Sequence, residues 1–242
     1  MIEARGLTRR FGTLTAVDGV DLCMDGRGVL GFLGPNGAGK TTTMRMLTGF
    51  LSMTAGSARV AGFDVFDQPL EVKARVGYLP EAPPLYPELT VRECLRFVAR
   101  LHGLRGEVLR QRMDEVIART GLEGMQRRLL GQLSRGFQQR VGLAQTLVHD
   151  PPVLLLDEPT TGLDPAQRAA IRDLIGELGR ERTVLLSTHL LQDVEILCRR
   201  IAVIHQGRIV GDGTLAELAA AVGLSPGTSL EAVYLALVRG TG

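Results

Sequence analysis

The sequence predicts an α/β fold. A mostly parallel sheet is covered on both faces by helices, with a small antiparallel β edge and a helical lobe inserted at about residues 88–150. Three observations predict it. Short apolar runs of strand type alternate with amphipathic segments over most of the chain. One glycine-rich turn, GPNGAGKT at 34–41, stands between such a run and a helix. Residues 91–149 then change character, to helical periodicity nearly throughout.

In chain order, residues 2–7, 17–24 and 29–33 read as strands, with turns at Phe11-Gly12 and Asp25-Gly26. A helix is expected over 40–47, and short strands over 58–60 and 76–79. EAPPLYP at 81–87 is a proline-stiffened loop, and the helical lobe that follows carries breaks at Gly103, Gly106, Gly121 and Gly131. Alternation then resumes: strand 153–156, helix 165–178, strand 183–187, helix 190–198. A hairpin over 201–210 turns at Gln206-Gly207, and SLEAVYLAL at 229–237 closes the chain as a helix.

At 242 residues the chain can bury one substantial core or two closely joined lobes, and we expect a single domain over 1–242. Aromatic residues make up 4 % with no Trp, which leaves no stacking platform for single-stranded nucleic acid. A net charge of +2 without a basic run argues against DNA, so no nucleic-acid partner is expected. Cys23, Cys94 and Cys198 form no C-x-x-C pair and read as thiols in a reducing compartment. MIEARGLTRR at the start has no apolar signal core, and no window offers about 18 uncharged apolar residues. A cytoplasmic location follows as the expectation; work on a membrane would need a partner that spans it.

GPNGAGKT fits the pattern G-x-x-x-x-G-K-[ST] and predicts a P-loop NTPase. Gly34, Gly37 and Gly39 let the backbone curl around Pro35 so that successive N–H groups, those of Asn36 and Ala38 included, face anionic oxygens. Lys40 and Thr42 stand at the start of the following helix, whose positive dipole end favours phosphate. Lys40 reaches β/γ-phosphates and the Thr41 hydroxyl suits Mg²⁺. VLLLDEP at 153–159 is an apolar strand ending in carboxylates at the edge where open α/β sheets bind ligands. Asp157 suits Mg²⁺, and Glu158 is placed to polarise an attacking water.

Further residues carry a family resemblance. LSRGFQQR at 133–140 resembles the LSGGQ signature of ABC (ATP-binding cassette) ATPases, TGLDP at 161–165 resembles their D-loop, and Ser187-Thr188-His189 resembles their switch histidine. Phe11 stands where that family keeps an adenine-stacking aromatic, and the order of motifs is similar from end to end. The resemblance implies an ATP- and Mg²⁺-dependent ATPase subunit of a transporter, dimerising head to tail. Each ATP would lie between one chain's P-loop and the Ser134 and Gly136 of the other, with His189 at the γ-phosphate. Taken alone Ser134 reads as a simple helix N-cap, the motif context favours the ATP role, and the residue could do both. The implied partners are an integral membrane permease and a second cassette, identical or related, with the chain peripheral on the inner face of the cell membrane.

Three positions depart from the family pattern: Arg135 replaces Gly, Phe137 replaces Gln, and Glu81 replaces the switch glutamine near Mg²⁺. Similar variations occur in ATPases resembling gliding-motility and nitrous-oxide-maturation exporters, which points to export. A soluble non-transport ABC ATPase is the rival reading, and an ATP-binding regulatory module a third.

Overall fold

The computed structural model describes residues 1–240. Two sheets organise them. Strands β1 (Ile2–Phe11), β2 (Leu14–Met24), β4 (Ala55–Val60) and β5 (Phe63–Asp64) form an antiparallel sheet in the order β2-β1-β4-β5. Strands β3 (Gly28–Leu33), β6 (Val76–Leu79), β7 (Val153–Asp157), β8 (Thr183–Thr188), β9 (Arg200–His205) and β10 (Arg208–Gly213) form the second, ordered β10-β9-β3-β8-β7-β6. Its pairings are parallel except for the β9–β10 hairpin.

The central strands are buried on both faces, so they read as continuous apolar runs, yet their side chains still alternate. Leu154 and Leu156 face one core with Val184 and Leu186. Val153 and Leu155 face the other with Leu185 and Phe32. Helix α1 (Lys40–Leu47) buries Met44, Met46 and Leu47 in the second core, beneath the antiparallel sheet. Helix α2 (Pro69–Arg75) leads into β6.

Between β6 and β7 lie the helices α3 (Val91–Leu101), α4 (Gly106–Arg119) and α5 (Arg135–Leu147). Their apolar faces, among them Leu95, Met113, Ile117 and Leu143, join the first core. Thr90 and Glu93 cap α3 reciprocally, each side chain meeting the other's backbone N–H. Helices α6 (Pro165–Glu181) and α7 (Leu191–Leu197) flank the parallel sheet. Helices α8 (Leu215–Ala221) and α9 (Leu230–Arg239) pack Leu218, Leu230, Val233 and Leu237 against Ile201 and Val203 in a third cluster.

The fold class agrees with the sequence reading, and several bounds shift. β1 runs on to Phe11 because its pairing with β2 continues through Phe11–Leu14. The break after α3 spans 102–105, and Gly106, at φ +58°, opens α4 at its far end. β5, α2 and α8 are additional elements. The two-residue β5 and the uncapped seven-residue α2 are too short for a periodic pattern. α8 does carry a legible start, the Thr214/Glu217 capping box.

Candidate active site

The parallel register sets the site. β3, β7 and β8 end side by side, with Leu33 opposite Thr188 and Asp157 opposite Ser187. The loops that leave these strand ends carry the P-loop, the two carboxylates and His189.

The P-loop needs its glycines for different reasons at different points. A Cβ on Gly34 would stand 2.4 Å from the Ile204 carbonyl oxygen, so the strand exit has no room for a side chain. Gly39 has φ +106°, and a Cβ there would meet the Ala16 carbonyl at 2.6 Å. Neighbours brace the loop: Gly34 N donates to Thr188 O at 3.3 Å, and Gly207 N to Ala38 O at 3.0 Å. The hairpin turn at Gln206-Gly207 therefore supports the loop from below.

Lys40 is 5 % exposed and folds back over the loop. Its ammonium donates to Gly34 O at 2.8 Å and Pro35 O at 3.2 Å, and lies 3.2 Å from Glu158 Oε1. Two carbonyls thus accept hydrogen bonds from the ammonium, and the Glu158 carboxylate meets it as an ion pair. Glu158 is buried at φ +50°, a conformation that non-glycine residues rarely adopt. Its Oε2 lies 2.9 Å from His189 Nδ1 and accepts the Thr161 hydroxyl at 2.9 Å.

Asp157 is fully buried, and its Oδ1 accepts the Ser187 hydroxyl at 2.8 Å. Burial pushes its carboxyl above the usual range, while the Thr41 and Ser187 hydroxyls pull it down and the Glu158 charge pushes it up again. Among the described residues its Oδ2 has no hydrogen-bond partner. A buried carboxylate oxygen without a donor is costly unless a cation meets it. The Thr41 hydroxyl interacts with this carboxyl and also lines the cleft that Glu81 borders, so oxygen donors of the kind Mg²⁺ takes face this region.

A cleft of about 210 Å³ opens over these groups, lined by Asn36, Lys40, Thr41, Thr42, Glu81 and Glu158 among others. Phe11, Ser134 and Gly136 do not line it. Phe11 is exposed at the end of β1 with the Arg9 guanidinium 4.6 Å from its ring centroid. Ser134 is the N-cap residue of α5, but its side chain accepts no capping bond. Gly136 is buried under Gln167, whose Oε1 a Cβ would meet at 2.2 Å. Arg135 packs its guanidinium over Gly162, and among the described residues it has no hydrogen bond or ion pair.

Sequence reasoning passed over Ser187 and Thr161 as ligands of the two carboxylates. Both stand inside quoted motifs, but their contacts depend on strand register and on the turn after β7, which no local pattern reveals.

The match to the ABC transporter family model covers residues 17–161, from β2 through the P-loop and helical segment to the carboxylate turn. This chain belongs to the ABC transporter family. The ABC transporter ATP-binding protein NatA of Bacillus subtilis (strain 168) is 38 % identical over 224 residues, covering 90 % of this chain and 91 % of that protein. The Nod factor export ATP-binding protein I of Paraburkholderia xenovorans (strain LB400) is 39 % identical, covering 90 % of this chain and 72 % of its own length. A dimeric cassette, MJ0796, solved in a post-hydrolysis state bound to ADP and Pi, superimposes with a TM-score of 0.81 at 25 % identity, over 89 % of this chain and 99 % of its own. The cassette is thus an ABC ATPase that binds and hydrolyses ATP.

A second concavity of this ABC ATPase, about 500 Å³, lies where the parallel sheet meets the helical lobe. It is mainly apolar, with Phe50, Tyr86 and Phe97 exposed at its walls, and His102 stacked on His149 at 3.6 Å between ring centroids. Among the described residues, no helix is long and apolar enough to cross a membrane.

Proposed function

We propose that residues 1–242 act as one ATPase domain of a transporter, pairing head to tail with a second cassette, identical or related, to drive an integral membrane permease in export. The pair would work in the cytoplasm, on the inner face of the cell membrane. The apolar concavity beside the 81–87 loop offers the permease a seat, and the Nod factor export relative supports the direction.

The chemistry follows from named groups. Lys40, with the loop backbone over 34–42, takes the β/γ-phosphates of ATP. Phe11 stacks on adenine. Thr41, Asp157 and Glu81 hold Mg²⁺, which when bound supplies positive charge to the phosphate oxygens. Glu158 accepts the proton of the attacking water, and His189 orients it against the γ-phosphate. Phosphate entry gives Lys40 a stronger anionic partner and so frees Glu158 Oε1 for water.

One observation carries the head-to-tail reading. Ser134 and Gly136 begin α5 outside the cleft, and the Ser134 hydroxyl caps nothing. Free N–H groups, a hydroxyl and a positive helix end suit a γ-phosphate held by another chain. Glu158→Gln tests the assembly. It is expected to bind ATP, lose turnover by about 10²–10⁴-fold and accumulate as a dimer in light scattering. More than about a tenth of parental turnover would remove Glu158 from the base role that sets this range.

A further inference from the structure

We propose that Thr161 is the positioning residue that aims Glu158 at the attacking water after ATP has entered. The proposal rests on reading Glu158 as the general base.

The Glu158 carboxylate has three side-chain partners: Lys40 on Oε1, and His189 and Thr161 on Oε2. Two of them are claimed by the nucleotide. Lys40 turns to the β/γ-phosphates, and His189 to the γ-phosphate and its water. The Thr161 hydroxyl has no such second duty, so it is the partner Glu158 keeps through the reaction. By donating to Oε2 it fixes the plane of the carboxylate and leaves Oε1 open to accept a proton. A base that must sit within hydrogen-bond reach of one water gains from such orientation.

The surroundings hold the hydroxyl in place. Thr160 donates to the buried Asp193 carboxylate on α7, and Asp193 also pairs with Arg172 at 3.6 Å. Thr161 N donates to Glu158 O at 3.2 Å, and Leu163 N to Thr160 O at 3.4 Å. The turn after β7 is thereby anchored one residue away. Thr161 Oγ1 reaches Glu158 from a fixed backbone.

The test compares Thr161→Val and Thr161→Ser in the purified full-length chain with MgATP. Thr161→Val loses one hydrogen bond to a charged group, so its kcat is expected to fall roughly 10- to 100-fold. Its KM for ATP and its ATP-driven dimer in the absence of hydrolysis stay at parental levels. Thr161→Ser restores the donor and most of the lost kcat. Parental kcat in Thr161→Val overturns the proposal. So does a loss of ATP binding in step with kcat, or a folded Thr161→Ser that rescues nothing. Should Val impair folding, Thr161→Ala, judged by the same readouts, replaces it. Glu158→Gln is measured alongside. If it turns over like the parent, the general-base reading itself has failed; if it is inactive while Thr161→Val is unaffected, only the role of Thr161 has.

Discussion

The P-loop end of the cassette and the start of α5 handle polar groups in opposite ways. Around the P-loop, side chains that nucleotide chemistry would use are already engaged: Lys40 with two carbonyls and Glu158, Glu158 with His189 and Thr161, Asp157 with Ser187. At α5, the Ser134 hydroxyl accepts no capping bond and, among the described residues, the Arg135 guanidinium has no anion. Groups locked to each other in one chain form a site that chain owns. Idle donors at a helix start are what the proposed head-to-tail pairing would complete from a second cassette, and Gln167 lies over Gly136 beside them.

Stability measurements break or sharpen this contrast. The largest shift is expected for Lys40→Ala, which leaves Glu158 buried beside no cation. Breaking a buried pair costs about 3–5 kcal/mol. The remaining bonds from Thr161 and His189 put the expected loss at the low end, about 3 kcal/mol in nucleotide-free denaturant melts. A loss under about 1 kcal/mol, the scale of exposed pairs, would show that the engaged cluster is not stabilising.

Asp157→Asn should act in the other direction. The folded carboxyl is held above its ordinary value of 3.8, chiefly by burial. A raised folded pKa gives stability that is present at low pH and lost as pH rises through the folded value. At neutral pH without metal the charged form is therefore a cost. The amide keeps an acceptor for Ser187 and removes that cost, so the metal-free melting temperature rises, by about 2–4 °C per kcal/mol relieved. MgATP hydrolysis is lost in the same variant. An unchanged melting temperature together with retained hydrolysis would remove Asp157 from the metal site.

The smallest effect is the most discriminating. Replacing a capping Ser by Ala ordinarily costs about 1 kcal/mol. Ser134→Ala is expected to cost near zero in the nucleotide-free chain, because its hydroxyl accepts no capping bond. It should nonetheless weaken the ATP-driven dimer. A normal capping loss with full dimerisation would return Ser134 to an ordinary N-cap.

Much of this was legible in the sequence. The strand–turn–helix around GPNGAGKT and the apolar run ending in Asp157 and Glu158 declared both the sheet and its working edge. The helical segment declared itself by its period. What stayed hidden were contacts that only register and turn geometry create. Ser187 meets Asp157 because β7 and β8 pair in parallel at that step. Thr161 meets Glu158 because Glu158 adopts φ +50°. Likewise, N-cap statistics at Ser134 describe a residue type, and only the coordinates reveal that the hydroxyl is idle.

The central claim is that each nucleotide site takes its P-loop from one chain and its signature from another. A purified mixed dimer of Lys40→Ala and Ser134→Arg chains, both also carrying Glu158→Gln, tests it by ATP occlusion. Lys40→Ala removes the phosphate cation, and Ser134→Arg puts bulk where the partner's γ-phosphate should dock. The mixed dimer then retains one intact site, joining the Lys40 of one chain to the Ser134 of the other. It is expected to occlude up to one ATP, while each parent homodimer occludes none. A stably formed mixed dimer that occludes no more than its parents would contradict the shared site.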